Sequence, residues 1–460
     1  MRHFDLCIIG TGSGNSIPDE RFDDLNIALV ETGVFGGTCL NVGCIPTKMF
    51  VYPADLAASP PAAESLGVDL QLNGVRMTEI RDRVFGRIDP ISRAGERWRA
   101  SNANVTLYRK QAHFTGPRTL DTGTGETITA DRFVIAAGSR AVIPEIPGLP
   151  SVTAHTSDTV MRIDRLPESM IILGGGFVSA EFAHVFSAFG TKVTVVNRSG
   201  ALLRQEDEEV SRRFTELISR RVDVRLNRRV DRIEANDDGG VSVLTVDAHD
   251  TKETLVAELL LVATGRIPNS DTLNLSATGV EVDDDGYVVV DDQQRTTAEG
   301  IFALGDVSSH YQLKHVANHE SRVVKHNLLH PDAMVSSDHR FVPHAIFSEP
   351  QVASVGLTEE QARSRGTDYV AAVQDYGSTA YGWAMEDTEH FVKLLADPSS
   401  GLLLGAHIIG QQASSLIQPL IQAMSFGLGV REMARGQYWI HPAMIEVVEN
   451  ALLSLTLDKG

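Results

Sequence analysis

Short apolar runs end in glycine clusters at two places along the chain. LCIIG (residues 6 to 10) leads into GTGSGN, and MIILG (170 to 174) leads into GGGFVS. After each comes a helix-compatible stretch and then a second β-branched run, NIALVE ending at Glu31 and TKVTVVN ending at Asn197. Continuous apolar runs on either side of a helical pattern predict two strand–helix–strand units, and hence two nucleotide-binding domains.

RFVIAAGS (132 to 139), ELLLVATGR (258 to 266) and EGIFALGDV (299 to 307) read as further apolar strands closing on small-residue turns, the last at Gly305-Asp306. From about Val342 the character changes. AIFSEPQVASVG, FVKLLAD and LLLGAHIIG read as a meander of half-buried strands, and SSLIQPLIQAMSFG and PAMIEVVENALLSL as helices. The expected fold class is α/β: two Rossmann-like dinucleotide-binding domains and a C-terminal α+β domain. The expected boundaries are 1–145, 146–264, 265–335 and 336–460.

Composition narrows the partners. A chain of 460 residues with 42% hydrophobic and 22% charged residues is globular and too long for a single core. Its net charge of −19 argues against a nucleic acid as principal partner. No apolar stretch reaches the length of a membrane span, and MRHFDLCIIGTG lacks the pattern of a signal peptide. The expected location is the cytoplasm, where a bonded cysteine pair is more often catalytic or redox-sensing than structural.

Both glycine motifs are incomplete. Gly10-x-Gly12 has Asn15 at the third glycine position, and Gly174-x-Gly176 has Ser179. The first two glycines, which permit the turn and the approach of backbone to a pyrophosphate, are intact in both. Glu31 stands where a carboxylate binds ribose hydroxyls. In the second unit Asn197 replaces the acid, with Arg198 and Arg204 following. Guanidinium groups pair with a 2′-phosphate that a carboxylate would repel, so NADPH is expected there. The alternative is two solvated surface arginines.

GGTCLNVGCIPTK (36 to 48) holds two of the three cysteines. Residues five apart on an ideal α-helix have Cα atoms roughly 8 to 9 Å apart, whereas a disulfide needs about 4.4–6.8 Å. A Cys39–Cys44 bond therefore needs distorted backbone between them, which Gly43 permits. Pro46 fits an early position of the following helix, whose N-terminus also favours a reactive thiolate. Zinc needs a second ligand pair, and Cys7 in the first strand supplies none, so no metal site is expected. The pair reads as redox-active. Near the C-terminus, His441 and Glu446 have the composition of an acid/base unit, although HPxxxE alone is more often a helix start.

Together these segments resemble the pyridine nucleotide-disulfide oxidoreductases, the family of glutathione reductase and dihydrolipoamide dehydrogenase. GGTCLNVGCIPTK, LLLVATGR, GIFALGDV and HPAMIE match its motifs and span the chain. The resemblance implies an FAD domain (1–145), an NADPH domain (146–264), a central segment completing the FAD site (265–335) and a dimerisation domain (336–460). Cys39 resembles the thiol that attacks substrate and Cys44 the one against the flavin. Lys48 is implied to pair with Glu181. His441 and Glu446 are implied to act on the other subunit of a homodimer. The family positions matched at FAD are Gly10, Gly12, Gly14, Glu31, Thr38, Lys48, Ala112, Ser139 and Asp306. Those at NADPH are Gly174, Gly176, Glu181, Asn197, Arg198, Arg204 and Gly265.

GTGSGNSIPDER, YGWAMED, HVANHESRVVKHNLL and MARGQYWIHPA point, within the family, to a reductase of a small-molecule disulfide. The segment IPDERFDDLN is expected to form an acidic first helix beside the substrate, suiting a hydroxyl-rich disulfide over one that carries carboxylates. A sibling such as dihydrolipoamide dehydrogenase, with reversed nucleotide preference, is the nearest rival. A scaffold using flavin and dithiol only for structure or sensing is the more distant one.

Overall fold

The structure is a computed structural model, and it describes residues 1–237 and 239–458. The first unit contains β1 (Arg2–Ile9), β2 (Ile27–Val30), α1 (Gly37–Asn41), α2 (Cys44–Ser65), α3 (Met77–Ser101), β3 (Val105–Tyr108) and β4 (Thr127–Ile135). Its sheet runs β3-β2-β1-β4 in parallel and continues into an antiparallel hairpin, His113–Gly116 with Thr119–Asp121. Both faces are covered, which is why β1 is apolar without alternation. Cys7 and Ile9 pack into one core with Val30, Phe133 and Ile135, whereas Leu6 and Ile8 pack into another with Leu29, Phe35 and Val134.

The expected helix between β1 and β2 is absent. Residues 10 to 26 carry only two single turns of 3-10 helix, Gly14–Ser16 and Glu20–Phe22. Pro18 lacks the N–H a helical ladder needs, and Asp19 is extended (φ −135°, ψ −170°) with its side chain accepting from the Arg21 N–H. Buried Arg99 of α3 then pins the segment, donating to the Asn15 side chain (2.7 Å) and to the carbonyls of Asn15 and Pro18.

The second unit contains β5 (Ser169–Leu173), α4 (Phe177–Ala188), β6 (Lys192–Val196), α5 (Glu208–Ile218) and β7 (Leu259–Val262). Its parallel sheet is ordered Asp223–Arg225, β6, β5, β7, Ala154–His155. Here the helix after the glycine turn forms as expected. One face packs on α4 and α5. The other is covered by an antiparallel meander (Arg229–Ala235, Val241–Val246, Lys252–Ala257) whose Ile233, Val241 and Val243 meet Ile171, Leu173 and Val196.

The chain then returns to the first sheet, where β8 (Ile301–Ala303) pairs in parallel with β4, and continues into α6 (Lys314–Leu329). Five C-terminal strands, β9 (His344–Ile346), β10 (Val352–Gly356), β11 (Val370–Asp375), β12 (Phe391–Ala396) and β13 (Leu403–Ile409), form one antiparallel sheet in the order β9-β10-β13-β12-β11. The single helix expected over SSLIQPLIQAMSFG is two, Ala413–Leu416 and Gln418–Phe426. The last helix, α7 (Glu446–Ser454), starts later than expected and leaves His441 in the turn before it. Among the described residues no helix is long and apolar enough to cross a membrane.

Candidate active site

The two cysteines lie on different helices. Cys39 is in α1, Cys44 is the first residue of α2, and Val42 and Gly43 break the ladder between them. Gly43 is required for closeness rather than for a left-handed conformation. A Cβ there would come within 3.0 Å of the Thr38 carbonyl oxygen and 3.3 Å of Cys39 Cα. Thr47 secures the new helix, its backbone N–H and hydroxyl both donating to the Gly43 carbonyl (3.1 and 2.7 Å).

The thiols are free and hydrogen-bonded to one another, with Cys39 donating. That bond is the largest force holding the Cys44 thiol down to about 7, with the Lys48 ammonium helping against burial and against Glu181. The same bond, together with burial, pushes the Cys39 thiol up. Of the two, Cys44 at the N-terminus of α2 is therefore the thiol that ionises more readily. The third cysteine, Cys7, is enclosed in β1, and burial pushes its thiol up.

Lys48 Nζ lies 2.5 Å from Glu181 Oε1 and 4.6 Å from the centre of the Phe347 ring. The Phe347 backbone N–H donates to the same carboxylate oxygen at 2.9 Å. Helix α2, helix α4 and the segment after β9 therefore converge beside the dithiol. Phe347 has no motif signal in the sequence. Only packing brings it there.

The glycines expected at the first nucleotide form a close-packed turn. Gly10 (φ +107°) turns the chain so that a Cβ would lie 2.1 Å from the Ala136 carbonyl oxygen. Gly12 faces Gly37 at the start of α1, where a Cβ on Gly37 would meet Gly12 Cα at 2.5 Å. Gly14, rather than position 15, is the packing glycine, since its Cβ would lie 2.9 Å from Ala136 Cβ and 3.0 Å from Ile8 Cγ2. The Glu31 carboxylate accepts from the Thr11 N–H (2.9 Å) and hydroxyl (2.5 Å) and from the Gly33 N–H (2.7 Å). Thr38 lies beside Cys39 in α1, and Ala112 is buried between β3 and the following hairpin. Ser139 donates to Asp306 at 2.7 Å and accepts from Arg266 Nε at 2.9 Å. Arg266 ends the LLLVATGR motif, and nothing in that local pattern signals its contact with Ser139. A turn closed to side chains, with the Glu31 carboxylate bound to its Thr11 and the start of α1 against its Gly12, fits a flavin dinucleotide.

In the second unit Gly174 (φ +119°) makes the equivalent turn, and Gly176 caps α4 with open space around it. Asn197 is turned inward, donating to the carbonyls of Ala201 (2.9 Å) and Ser199 (3.3 Å) and covering Gly175. Arg198 and Arg204 are exposed beside it, Arg204 donating to the Ser199 hydroxyl at 3.2 Å. Gly265 lies in the turn after β7, its carbonyl accepting from the Val142 N–H at 2.9 Å. Two exposed guanidiniums beside a glycine turn fit a nucleotide bearing an extra phosphate.

His441 Nδ1 is 2.6 Å from Glu446 Oε1, and Glu446 Oε2 accepts from the Ala443 N–H at 3.2 Å. The His441 hydrogen bond holds the Glu446 carboxyl below its ordinary range. The imidazole is 71% exposed. Among the described residues it forms no hydrogen bond or ion pair with Cys39, Cys44 or Lys48. The acidic segment also differs from expectation. Asp19 is tied to Arg21 (2.5 Å) and Lys325 (3.1 Å), leaving Glu20 exposed in a single 3-10 turn and Asp23 and Asp24 exposed just after it, rather than on an α-helix.

Comparison with known proteins bears on this geometry. Residues 4–321 match the family model of the pyridine nucleotide-disulphide oxidoreductases, and residues 342–452 match that family's dimerisation domain. The chain is 55% identical to mycothione reductase of Mycobacterium tuberculosis, covering 99% of this chain and 100% of that protein. It is 33% identical to dihydrolipoyl dehydrogenase of Halobacterium salinarum, covering 97% and 96% respectively. The solved HOCl-induced flavoprotein disulfide reductase RclA from Escherichia coli superposes with a TM-score of 0.85 at 28% identity, covering 98% of this chain and 99% of that one.

Proposed function

Because the chain belongs to the pyridine nucleotide-disulphide oxidoreductase family, we propose that it reduces mycothione, the disulfide of mycothiol, to two thiols with NADPH as reductant. It is an FAD-containing, NADPH-dependent oxidoreductase, and its dimerisation domain makes the assembly a homodimer. The observation that carries the substrate is the end-to-end 55% identity to a mycothione reductase, against 33% to a dihydrolipoyl dehydrogenase. The four distinctive sequence segments support the same choice. No described helix spans a membrane, which agrees with action in the cytoplasm.

Gly10, Gly12, Glu31, Ser139 and Asp306 would hold FAD, and Gly174, Gly176, Arg198 and Arg204 would hold NADPH. FAD, when bound, supplies the two-electron relay between NADPH and the cysteine pair. The chain's own residues do the rest. Cys39, as thiolate, attacks one sulfur of the substrate disulfide, so that the substrate S–S bond breaks as the Cys39–substrate bond forms. The partner subunit's His441, oriented by its Glu446, gives a proton to the departing thiolate. Cys44 then attacks Cys39, closing the Cys39–Cys44 disulfide and releasing the second thiolate. The dithiol is oxidised by two electrons and the substrate disulfide reduced by two.

Steady-state NADPH oxidation with a panel of low-molecular-weight disulfides tests this reading. Mycothione is expected to exceed glutathione disulfide in kcat/KM by at least about 10²-fold. Equal turnover of the two overturns the substrate while leaving a disulfide reductase.

A further inference from the structure

The two glycine turns are completed differently. Gly176 leads straight into the 12-residue helix α4, whose N-terminal end carries the partial positive charge that favours a phosphate. After Gly12 no α-helix forms, and the first helical turn is the three residues Gly14–Ser16 alone. A phosphate at the first turn therefore lacks that electrostatic support.

Two features stand in its place. Among the described residues the N–H groups of Gly12 and Ser13 have no hydrogen-bond acceptor, although Ser13 is buried. Buried donors are costly unless an acceptor reaches them. The second feature is a cation. Lys314, the first residue of the 16-residue helix α6, donates to the Ser13 hydroxyl at 2.8 Å and, among the described residues, forms no ion pair.

Other ties fix α6 against the same segment. The Ser321 hydroxyl lies 2.7 Å from that of Ser16 and donates to the Ser13 carbonyl at 3.3 Å. Lys325 pairs with Asp19 at 3.1 Å, and Arg21 pairs with the same carboxylate, so Asp19 is committed away from Lys314. With no α-helix between β1 and β2, α6 lies against the turn and presents its first side chain to it.

We propose that Lys314 is a binding residue for FAD, its ammonium pairing with the cofactor's pyrophosphate at the first glycine turn in place of the absent helix end. The inference deepens the FAD reading above and rests on it. A helix N-terminus supplies about half a positive charge. Lys314 supplies a whole one, held on the hydroxyl of the residue whose own N–H lacks an acceptor.

The test is equilibrium titration of FAD into full-length enzyme stripped of flavin, read by flavin fluorescence, with ADP and adenosine as competitors. Lys314→Gln keeps a donor for Ser13 and removes the charge. It should raise Kd for FAD and Ki for ADP by about tenfold each, the worth of one charged hydrogen bond. Adenosine, which has no phosphate, should be unaffected, and Lys314→Arg should restore both nucleotides. An FAD Kd unmoved by Lys314→Gln overturns the proposal. So does an equal loss for ADP and adenosine, which marks a merely structural tie between α6 and the turn. Should Lys314→Gln not fold, Ser13→Ala frees the lysine from its anchor without removing its charge. It should raise the ratio of ADP to adenosine Ki by less, and an unmoved ratio there also overturns the proposal. Wild-type enzyme that takes up no FAD overturns the FAD reading instead, a result distinct from either variant's.

Discussion

Lys48 and Glu181 meet at 2.5 Å across the seam between α2 and α4, with the Cys44 thiol close enough to feel both charges. The two act in opposite directions on that thiol, which gives a test of sign. In FAD-loaded Cys39→Ser enzyme, Lys48→Met should move the midpoint of Cys44 alkylation upward by about one unit. Glu181→Gln should move it downward by less. Shifts of the same sign in both variants would sink the assignment of these charges.

His441→Ala should lower kcat for the substrate disulfide by about 10²–10⁴-fold, the usual worth of a positioned general acid. Single-turnover NADPH consumption should stay within a few-fold, since that half of the reaction needs no proton from the imidazole. Glu446→Gln should cost less, because it removes only orientation and charge from the imidazole. Mixed dimers of His441→Ala and Cys39→Ser subunits should recover one competent site, and inactive mixed dimers would place His441 in cis.

The nucleotide preference is expected to reside in Arg198 and Arg204. Replacing both with alanine should raise KM for NADPH by at least about tenfold and leave NADH nearly unaffected, because only NADPH carries the phosphate they would pair with. Parallel losses for both nucleotides would indicate general damage to the turn.

A pair outside the chemistry should make stability depend on pH. Glu206, just before α5, accepts from His344 of β9 at 2.6 Å and from the Ser354 hydroxyl at 2.5 Å. Burial pushes the Glu206 carboxyl up, but those bonds more than offset it and leave it below its ordinary 4.5. Burial likewise pushes His344 down, and Glu206 more than offsets it, so His344 ends above its ordinary 6.5. The glutamate's contribution is complete above 4.5 and lost as pH falls through its depressed value. The histidine's is complete below 6.5 and lost as pH rises through its raised value. Both are complete between 4.5 and 6.5. Thermal denaturation should show Tm of the wild type falling relative to Glu206→Gln on either side of that window. A constant difference across pH would refute the pair's role.

Much of the fold was legible because its signals are local. The runs LCIIG and MIILG became β1 and β5, since an unbroken apolar run ending in glycine suits a strand covered on both faces. The break between Cys39 and Cys44 followed from helix geometry and a glycine. Failure came where a distant residue overruled the local pattern. Residues 11 to 26 read as a helix, but buried Arg99 pins the Asn15 side chain and carbonyl, and Pro18 leaves the helical ladder. The meander covering the second sheet left no motif, because alternation in exposed strands is weak.

By itself, then, the sequence determined the main apolar strands and the two glycine turns, and it singled out the cysteine pair, His441 and Glu446 as candidates. Each is set by backbone freedom or side-chain chemistry within a few positions. Only the tertiary structure decided which of these meet. Lys48 joins Glu181 and Phe347, Asp306 joins Ser139 and Arg266, and Lys314 joins Ser13, through contacts between residues remote in sequence. Such contacts depend on how sheets and helices stack as layers, and no local periodicity records the offset between one layer and the next.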